Sequence, residues 1–371
     1  LAGVYVHIPF CASRCIYCGF FSTLRGDEAA CYVHALCREI SSHRDYLGGE
    51  PVRTLYFGGG TPSRLTPAQM ETVVACISDM LGLESLREFT VECNPDDISL
   101  EYVAALRQMG VNRISMGVQS FHDGMLRFLA RRHNAAQAIR AVEICHRAGI
   151  HNVSIDLMYG LPGQTMEMQK QDLDTAVGLD VQHISSYCLS YEPGSPLEGM
   201  RQEGLAEPLP EDTCAAMYTA MCSSLQEAGF EHYEISNFAR PGYQSQHNSS
   251  YWDGTPYLGL GAGAHSFNGH SRMWAPSDLD LYIKGAQSGN LEFEQEELTV
   301  TDKYNEMVML GLRTAAGIKL SRLTDAQRTA LLAASARFLE TGRIVLSNGY
   351  LSIPQDYMFV SDGIISGLFA D

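Results

Sequence analysis

The sequence predicts an α/β protein: an open, partial (β/α)6 barrel followed by a small C-terminal α+β, winged-helix-like domain. Three observations predict it. Short apolar strand-like runs alternate with helix-period segments through the first two thirds of the chain, as in repeated βαβ units on a parallel sheet. Six such units are clear, whereas a closed barrel of this type needs about eight. Beyond about residue 230 the alternation stops, and helices followed by an Asn-Gly hairpin end the chain. The expected divisions are residues 1–230 for the barrel, 231–290 for a connecting segment and 291–371 for the C-terminal domain.

Residues 4–8 form the first strand, and a cysteine loop follows it. Residues 27–46 put Ala30, Val33, His34, Cys37 and Ile40 on one helical face. Residues 52–57 are a second strand, running into Gly58-Gly59-Gly60-Thr61-Pro62. Thr66 and Pro67 then supply an N-cap and a first-turn proline for a helix to about residue 81. Strands are expected at 88–93, 113–117, 153–158 and 183–189, with helices at 99–109, 122–129, 135–148 and 166–177. Residues 232–238 read as a strand and its exit, 244–252 as a polar segment, and 257–266 as a glycine-rich stretch of close backbone approach. Residues 301–313 and 320–341 are helical, and 344–353 form a hairpin.

The composition, 45% apolar and 19% charged over 371 residues, is that of an ordinary globular protein. A formal charge of −17 argues against phosphate-directed nucleic-acid binding, which rests on a Lys/Arg surplus. No apolar run reaches the ~18 residues of an integral membrane segment, and no basic and then apolar leader opens the chain. Eleven cysteines without paired spacing do not read as a disulfide framework and suggest a reducing cytoplasm. Cys31, Cys37, Cys76, Cys93, Cys145, Cys188, Cys214 and Cys222 lie in apolar-periodic segments and read as packing residues.

Cys11, Cys15 and Cys18 carry the most specific chemistry. A C-x3-C-x2-C loop after a strand can hold three corners of a cubane iron–sulfur cluster. One iron then stays open to a small molecule, as the open position does in catalytic metal sites. A zinc site is one alternative, but His7, Cys31 and Cys37 make no second ligand pair. Buried packing cysteines are the other, against which Ser13, Arg14 and Gly19 in the same loop argue. The cysteine loop, the glycine run, Glu92, Gln119, Asp156 and Tyr187 all fall at or near carboxyl ends of strands. In a parallel barrel those ends form the rim that carries active sites. Singly each is a capping group or a turn; together they describe a pocket for a small polar cofactor.

These features resemble the radical S-adenosylmethionine superfamily. More narrowly, the chain resembles the oxygen-independent coproporphyrinogen III oxidase family. The blocks that carry this are Tyr5-Val6-His7-Ile8-Pro9-Phe10-Cys11, Phe57-Gly58-Gly59-Gly60-Thr61-Pro62, Glu92-Cys93-Asn94-Pro95, Gly117-Val118-Gln119-Ser120 and Tyr159-Gly160-Leu161-Pro162-Gly163. The resemblance implies a [4Fe-4S] cluster on Cys11, Cys15 and Cys18, with S-adenosyl-L-methionine chelated by the open iron. Reductive cleavage of that cofactor gives methionine and a 5′-deoxyadenosyl radical. It implies Tyr5 and Tyr17 beside the cofactor, Gly59, Gly60 and Thr61 at its amino end, and Glu92 and Gln119 at the ribose and methionyl region. Arg131 is implied on the carboxylate and Asp156 on the ribose hydroxyls.

Decarboxylating members carry a further cysteine two places after the third ligand and a longer N-terminal segment. Here Phe20 holds that place, and little chain precedes the first strand. Both features resemble the HemW branch, regarded as haem chaperones, as does His247-Asn248-Ser249-Ser250-Tyr251-Trp252. This branch implies haem as a ligand, an electron donor such as flavodoxin or ferredoxin, and a haem-acceptor protein. Coproporphyrinogen III dehydrogenase activity is not expected. His247 first and His265 second are the candidate haem ligands. Oxidative decarboxylation of coproporphyrinogen III, or another radical reaction on a tetrapyrrole, is the alternative reading.

Overall fold

The computed structural model describes residues 1–370. Six parallel strands lie side by side in chain order at its centre: β1 (Ala2–Ile8), β2 (Val52–Gly59), β3 (Glu88–Cys93), β4 (Arg113–Gln119), β5 (Asn152–Tyr159) and β6 (His183–Cys188). Helices α1 (Ala29–Ser42), α2 (Pro67–Leu81), α3 (Leu100–Gln108), α4 (Asp123–Phe128), α5 (Ala135–Arg147) and α6 (Met166–Gly178) return the chain between them. The strands are buried almost throughout, as a parallel sheet covered on both faces requires. Local chemistry starts the helices. Thr66 and Gln69 form a capping box on α2, with Pro67 in its first turn, and Asn134 with Gln137 form another on α5.

The sheet extends past these six strands. After α7 (Pro196–Gln202) and α8 (Glu211–Glu227), β7 (Glu231–Glu234) and β8 (Asn237–Ala239) form a hairpin, and β8 pairs antiparallel with β6. At the opposite edge β9 (Tyr257–Leu260) pairs parallel with β1. Antiparallel β10 (His265–Phe267), β11 (Ser271–Trp274) and β12 (Glu294–Glu297) follow. Residues 231–290, expected to connect two parts, thus supply strands to the main sheet. These strands have only three or four residues, too few for a period to show. Close backbone approach does occur at Gly259, where a Cβ would lie 2.0 Å from the His265 carbonyl oxygen.

The polar run at 244–252 is a helix, α9 (Gln246–Asp253), and it seals the amino ends of the strands. Glu88, buried at the start of β3, accepts the Gln246 and His247 backbone N–H at 2.8 and 3.0 Å and the Ser245 hydroxyl at 3.3 Å. A carboxylate at a helix N-terminus satisfies orphan donors and the helix dipole together. Further on, α10 (Leu279–Ser288) packs against α1.

The C-terminal part has its own apolar core around Val308, Leu331, Ile344 and Leu351. It contains α11 (Val300–Gly311), β13 (Ile318–Lys319), α12 (Asp325–Glu340), β14 (Val345–Ser347) and β15 (Tyr350–Ser352). The expected hairpin is β14–β15, with Asn348 and Gly349 at φ 51° and 79°, as a tight hairpin turn demands.

Glu88→Ala leaves three donors at the sealed end without their acceptor. It should lower stability by about 3 kcal/mol in urea unfolding of the cofactor-free protein, with Glu88→Gln losing less.

Candidate cofactor site at the strand carboxyl ends

β1 delivers the chain to the rim. Just past it, Thr23 N–H donates to the Pro9 carbonyl at 2.7 Å and Cys11 N–H donates to the Thr23 carbonyl at 2.8 Å. This pair clamps the neck of a loop spanning 11–22. Arg14 ties the loop internally through the Ser22 carbonyl, and Leu197 N–H holds it from outside through the Ile16 carbonyl at 2.9 Å. Cys11, Cys15 and Cys18 are free and partly exposed. All three line a cavity of about 660 Å³.

The same cavity is lined by Tyr17, Gly59, Gly60, Thr61, Glu92, Gln119, Arg131 and Asp156. One expected residue sits a layer lower. Tyr5 lies under Gly58, with its hydroxyl 3.0 Å from His7 Nδ1.

The glycine run lets the end of β2 press against the exit of β1. Gly59 has φ +109°, and a Cβ there would lie 2.5 Å from the His7 ring; one on Gly60 would lie 2.7 Å from the Pro9 carbonyl carbon. That approach aims Gly59 N–H at Glu92 Oε2, 3.1 Å away, while the Tyr56 hydroxyl donates to Glu92 Oε1 at 2.7 Å. The Thr61 hydroxyl lies 3.6 Å from Cys11 Sγ and accepts from Asn94 Nδ2 at 3.3 Å.

At the end of β4 the register against β5 slips between Gly117 and Gln119, and Gln119 adopts φ +70°. A non-glycine residue pays ~1–3 kcal/mol for that conformation. The slip re-aims the Gln119 side chain. Arg131 is reached from the following segment: Nη2 donates to Asn94 Oδ1 at 2.6 Å and to the Gly117 carbonyl at 2.5 Å, and Nη1 to Cys15 Sγ at 3.1 Å. Its Nε is buried without an acceptor, and among the described residues it forms no ion pair. Asn94 was missed as a site residue although it bridges Thr61 and Arg131; its position directly after β3 was the available signal. Cys188, read as a packing residue, stands in the cavity wall.

Burial dominates the electrostatics. It pushes Glu92 up to about 7, against the pull of the Tyr56 hydrogen bond, and nearby Asp156 adds to the rise. Burial likewise pushes Asp156 up to about 6, against its bond to Ser185 and the Arg113 charge. Burial also raises the Cys11 and Cys18 thiols, with Arg131 acting in the opposite direction. These groups are therefore suited to a cationic ligand, which would draw them into their charged forms.

The two histidines lie elsewhere. His247, on α9, is at the sealed end: Nδ1 is 2.8 Å from Thr54 Oγ1 and Nε2 is 2.9 Å from the Tyr251 hydroxyl. Burial, then the Arg113 charge, pushes it down to about 3. His265, on β10, is exposed and stacks on Trp274, with ring centroids 5.4 Å apart and planes 19° apart. Phe20 lines the cavity with 73% of its surface exposed.

A Radical SAM superfamily model matches residues 5–176, and a HemN C-terminal domain model matches residues 298–356. A Lactococcus lactis protein named heme chaperone HemW is 39% identical over 322 residues, covering 86% of this chain and 84% of its own. The Escherichia coli protein of that name is 35% identical over 314 residues, covering 82% and 81%. The chain belongs to the HemW family of radical SAM proteins. A Bos taurus protein named radical S-adenosyl methionine domain-containing protein 1, mitochondrial, is 36% identical over 328 residues, covering 85% of this chain and 74% of its own. The structure of E. coli coproporphyrinogen III oxidase (HemN) superposes with a TM-score of 0.84 at 23% identity, covering 100% of this chain and 90% of its own, which is a likeness of fold. Among the described residues, no helix is long and apolar enough to cross a membrane.

Radical SAM membership implies a [4Fe-4S] cluster and S-adenosylmethionine, and the residues present fit both. Among the described residues no three His, Cys, Asp or Glu side chains converge as a single-ion cage, the arrangement of a closed zinc site. A cubane instead takes each thiolate on a different iron, so its three ligands need not meet at one point. The unpaired Arg131 suits a carboxylate-bearing ligand.

Glu92 is raised in the folded state, so its contribution to stability is lost as pH rises through about 7. Glu92→Gln should therefore stabilise the cofactor-free protein by about 1–3 kcal/mol at pH 8 and not at pH 4.5, read from thermal unfolding at both pH values.

Proposed function

We propose that this protein holds a [4Fe-4S] cluster on Cys11, Cys15 and Cys18, binds S-adenosyl-L-methionine beside it, and carries haem to an acceptor protein in the cytoplasm. A flavodoxin or ferredoxin serves as electron donor. The observation that carries the reading is one cavity uniting the three thiols with Arg131, Glu92, Gln119 and Asp156, in a chain whose relatives are named heme chaperones across most of its length.

When bound, the cluster and S-adenosylmethionine supply one-electron chemistry at the sulfonium. The chain supplies position. Arg131 offers its planar fork to the methionyl carboxylate, and the backbone of Gly59 and Gly60, with Thr61 and Glu92, receives the amino end. Asp156 takes the ribose hydroxyls, and Tyr17 packs on the adenine. Asn94 and the Gly117 carbonyl keep Arg131 in place before the ligand arrives, which reduces the cost of ordering it. Phe20 stands at the cavity mouth as an apolar ring where decarboxylating relatives carry the extra cysteine, which supports haem transport rather than decarboxylation.

For haem, the geometry favours His265 over His247. Both His247 ring nitrogens are engaged, so ligation would break two buried hydrogen bonds. His265 has no side-chain hydrogen bond among the described residues and lies on the half-buried Trp274 indole, a flat apolar surface for a porphyrin. Burial, then the Arg272 charge, lowers its basicity, which keeps a neutral nitrogen for iron.

Anaerobic reconstitution with iron and sulfide should give about four irons per chain, lost on replacing any of the three cysteines with alanine. Arg131→Lys should weaken S-adenosylmethionine binding at least about tenfold by calorimetry, with the cluster retained. In haem titrations, His265→Ala should lose the Soret shift at stoichiometric haem. His247→Gln should keep it while unfolding more readily. The reverse pattern would assign haem to His247, and protoporphyrinogen formed from coproporphyrinogen III would overturn the chaperone reading.

A further inference from the structure

Outside the cofactor cavity, α1 and α2 bring two thiols together. Cys37 Sγ lies 2.7 Å from Cys76 Sγ. That is inside the about 3.5–4 Å of non-bonded contact between heavy atoms, and beyond the ~2.05 Å of a disulfide bond. Both residues are partly exposed. They open on a surface groove lined by His34, Arg38, Ser41 and Gln287. Of the other scattered cysteines, Cys93, Cys145 and Cys222 are buried, Cys31 is exposed with no thiol partner, and Cys188 meets the buried Cys214 in the wall of the cofactor cavity.

We propose that Cys37 and Cys76 form a reversible thiol–disulfide pair, oxidised by a small disulfide such as oxidised glutathione. Burial, and then the neighbouring Cys76, push the Cys37 thiol up to about 12, which disfavours Cys37 as the first attacking thiolate. The Cys76 thiolate displaces one glutathione thiolate and forms a mixed disulfide. The Cys37 sulfur, losing its proton to solvent, then attacks Cys76 Sγ and releases the second glutathione. Two protein thiols give up two electrons and two protons; one glutathione disulfide becomes two thiols. Arg38, with no ion pair among the described residues, stands at the groove where the anionic oxidant enters.

The pair is placed to report on the rim. The opposite face of α1 carries Tyr32, which donates to the His7 carbonyl at 2.8 Å and accepts Ala262 N–H at 3.0 Å, and Glu39, which accepts Gly261 N–H at 2.8 Å. α2 begins six residues after Thr61, at Pro67, so the link ties the helix behind β1 to the helix that follows the glycine run.

The test is anaerobic equilibration of the cluster-loaded full chain in glutathione buffers of increasing oxidised fraction, followed by alkylation and peptide mass spectrometry. The expected result is a Cys37–Cys76 linked peptide that is two hydrogens lighter than its separate parts and is reversed by dithiothreitol. Cys37→Ser should stall instead as a glutathione adduct on Cys76, while its iron content stays unchanged. The proposal is overturned if both thiols are alkylated in the most oxidising buffer. It is also overturned if each carries its own glutathione, or if zinc or copper(I) at one ion per chain protects both from alkylation.

Discussion

Everything at the rim depends on how closely the end of β2 can press on the exit of β1. Gly59 and Gly60 permit a separation that no side chain would allow. The approach turns the Gly59 N–H toward Glu92 and sets Thr61 beside Cys11. Two motifs nearly fifty residues apart become one surface because a Cβ is missing at each contact. The glycines are thus needed twice, for packing against His7 and Pro9 and for leaving backbone donors open toward the cavity. Neither role can be altered without the other.

The cavity holds its charge at a cost. Glu92 and Asp156 are carboxyl groups whose burial opposes ionisation. Arg113, fully buried at the start of β4, has Nε and Nη1 without hydrogen-bond partners, and Arg131 is likewise incompletely satisfied. A fold without a ligand to bind would replace such groups with packed apolar side chains at little loss. Their presence in the barrel interior is therefore the energetic mark of a site, and ligand binding returns part of what folding spends.

Much of this was legible in the sequence because buried parallel strands carry long apolar runs with a polar residue at the exit. That pattern located the six strands and most of the cavity wall. The later strands were illegible for a physical reason: three or four residues carry no period, and Gly259 or Gly261 signals a close backbone approach without saying which backbone approaches. His247 shows a second limit. A histidine in a polar run suggests a ligand, but its ring is completed by Thr54 from a distant strand and by Tyr251 one turn along its own helix. Cys37 and Cys76 read as packing residues because helical periodicity places each on its own helix and cannot show that two helices face each other.

The helix α9 has a consequence for traffic. It packs at the amino ends of β2 and β3, with Glu88 as its latch. The cavity that holds the three thiols opens instead at the rim, where Phe20 is exposed. A protein docked over that doorway would close it, so loading of the small ligand has to come before engagement of such a partner, and its exchange has to wait until the partner departs.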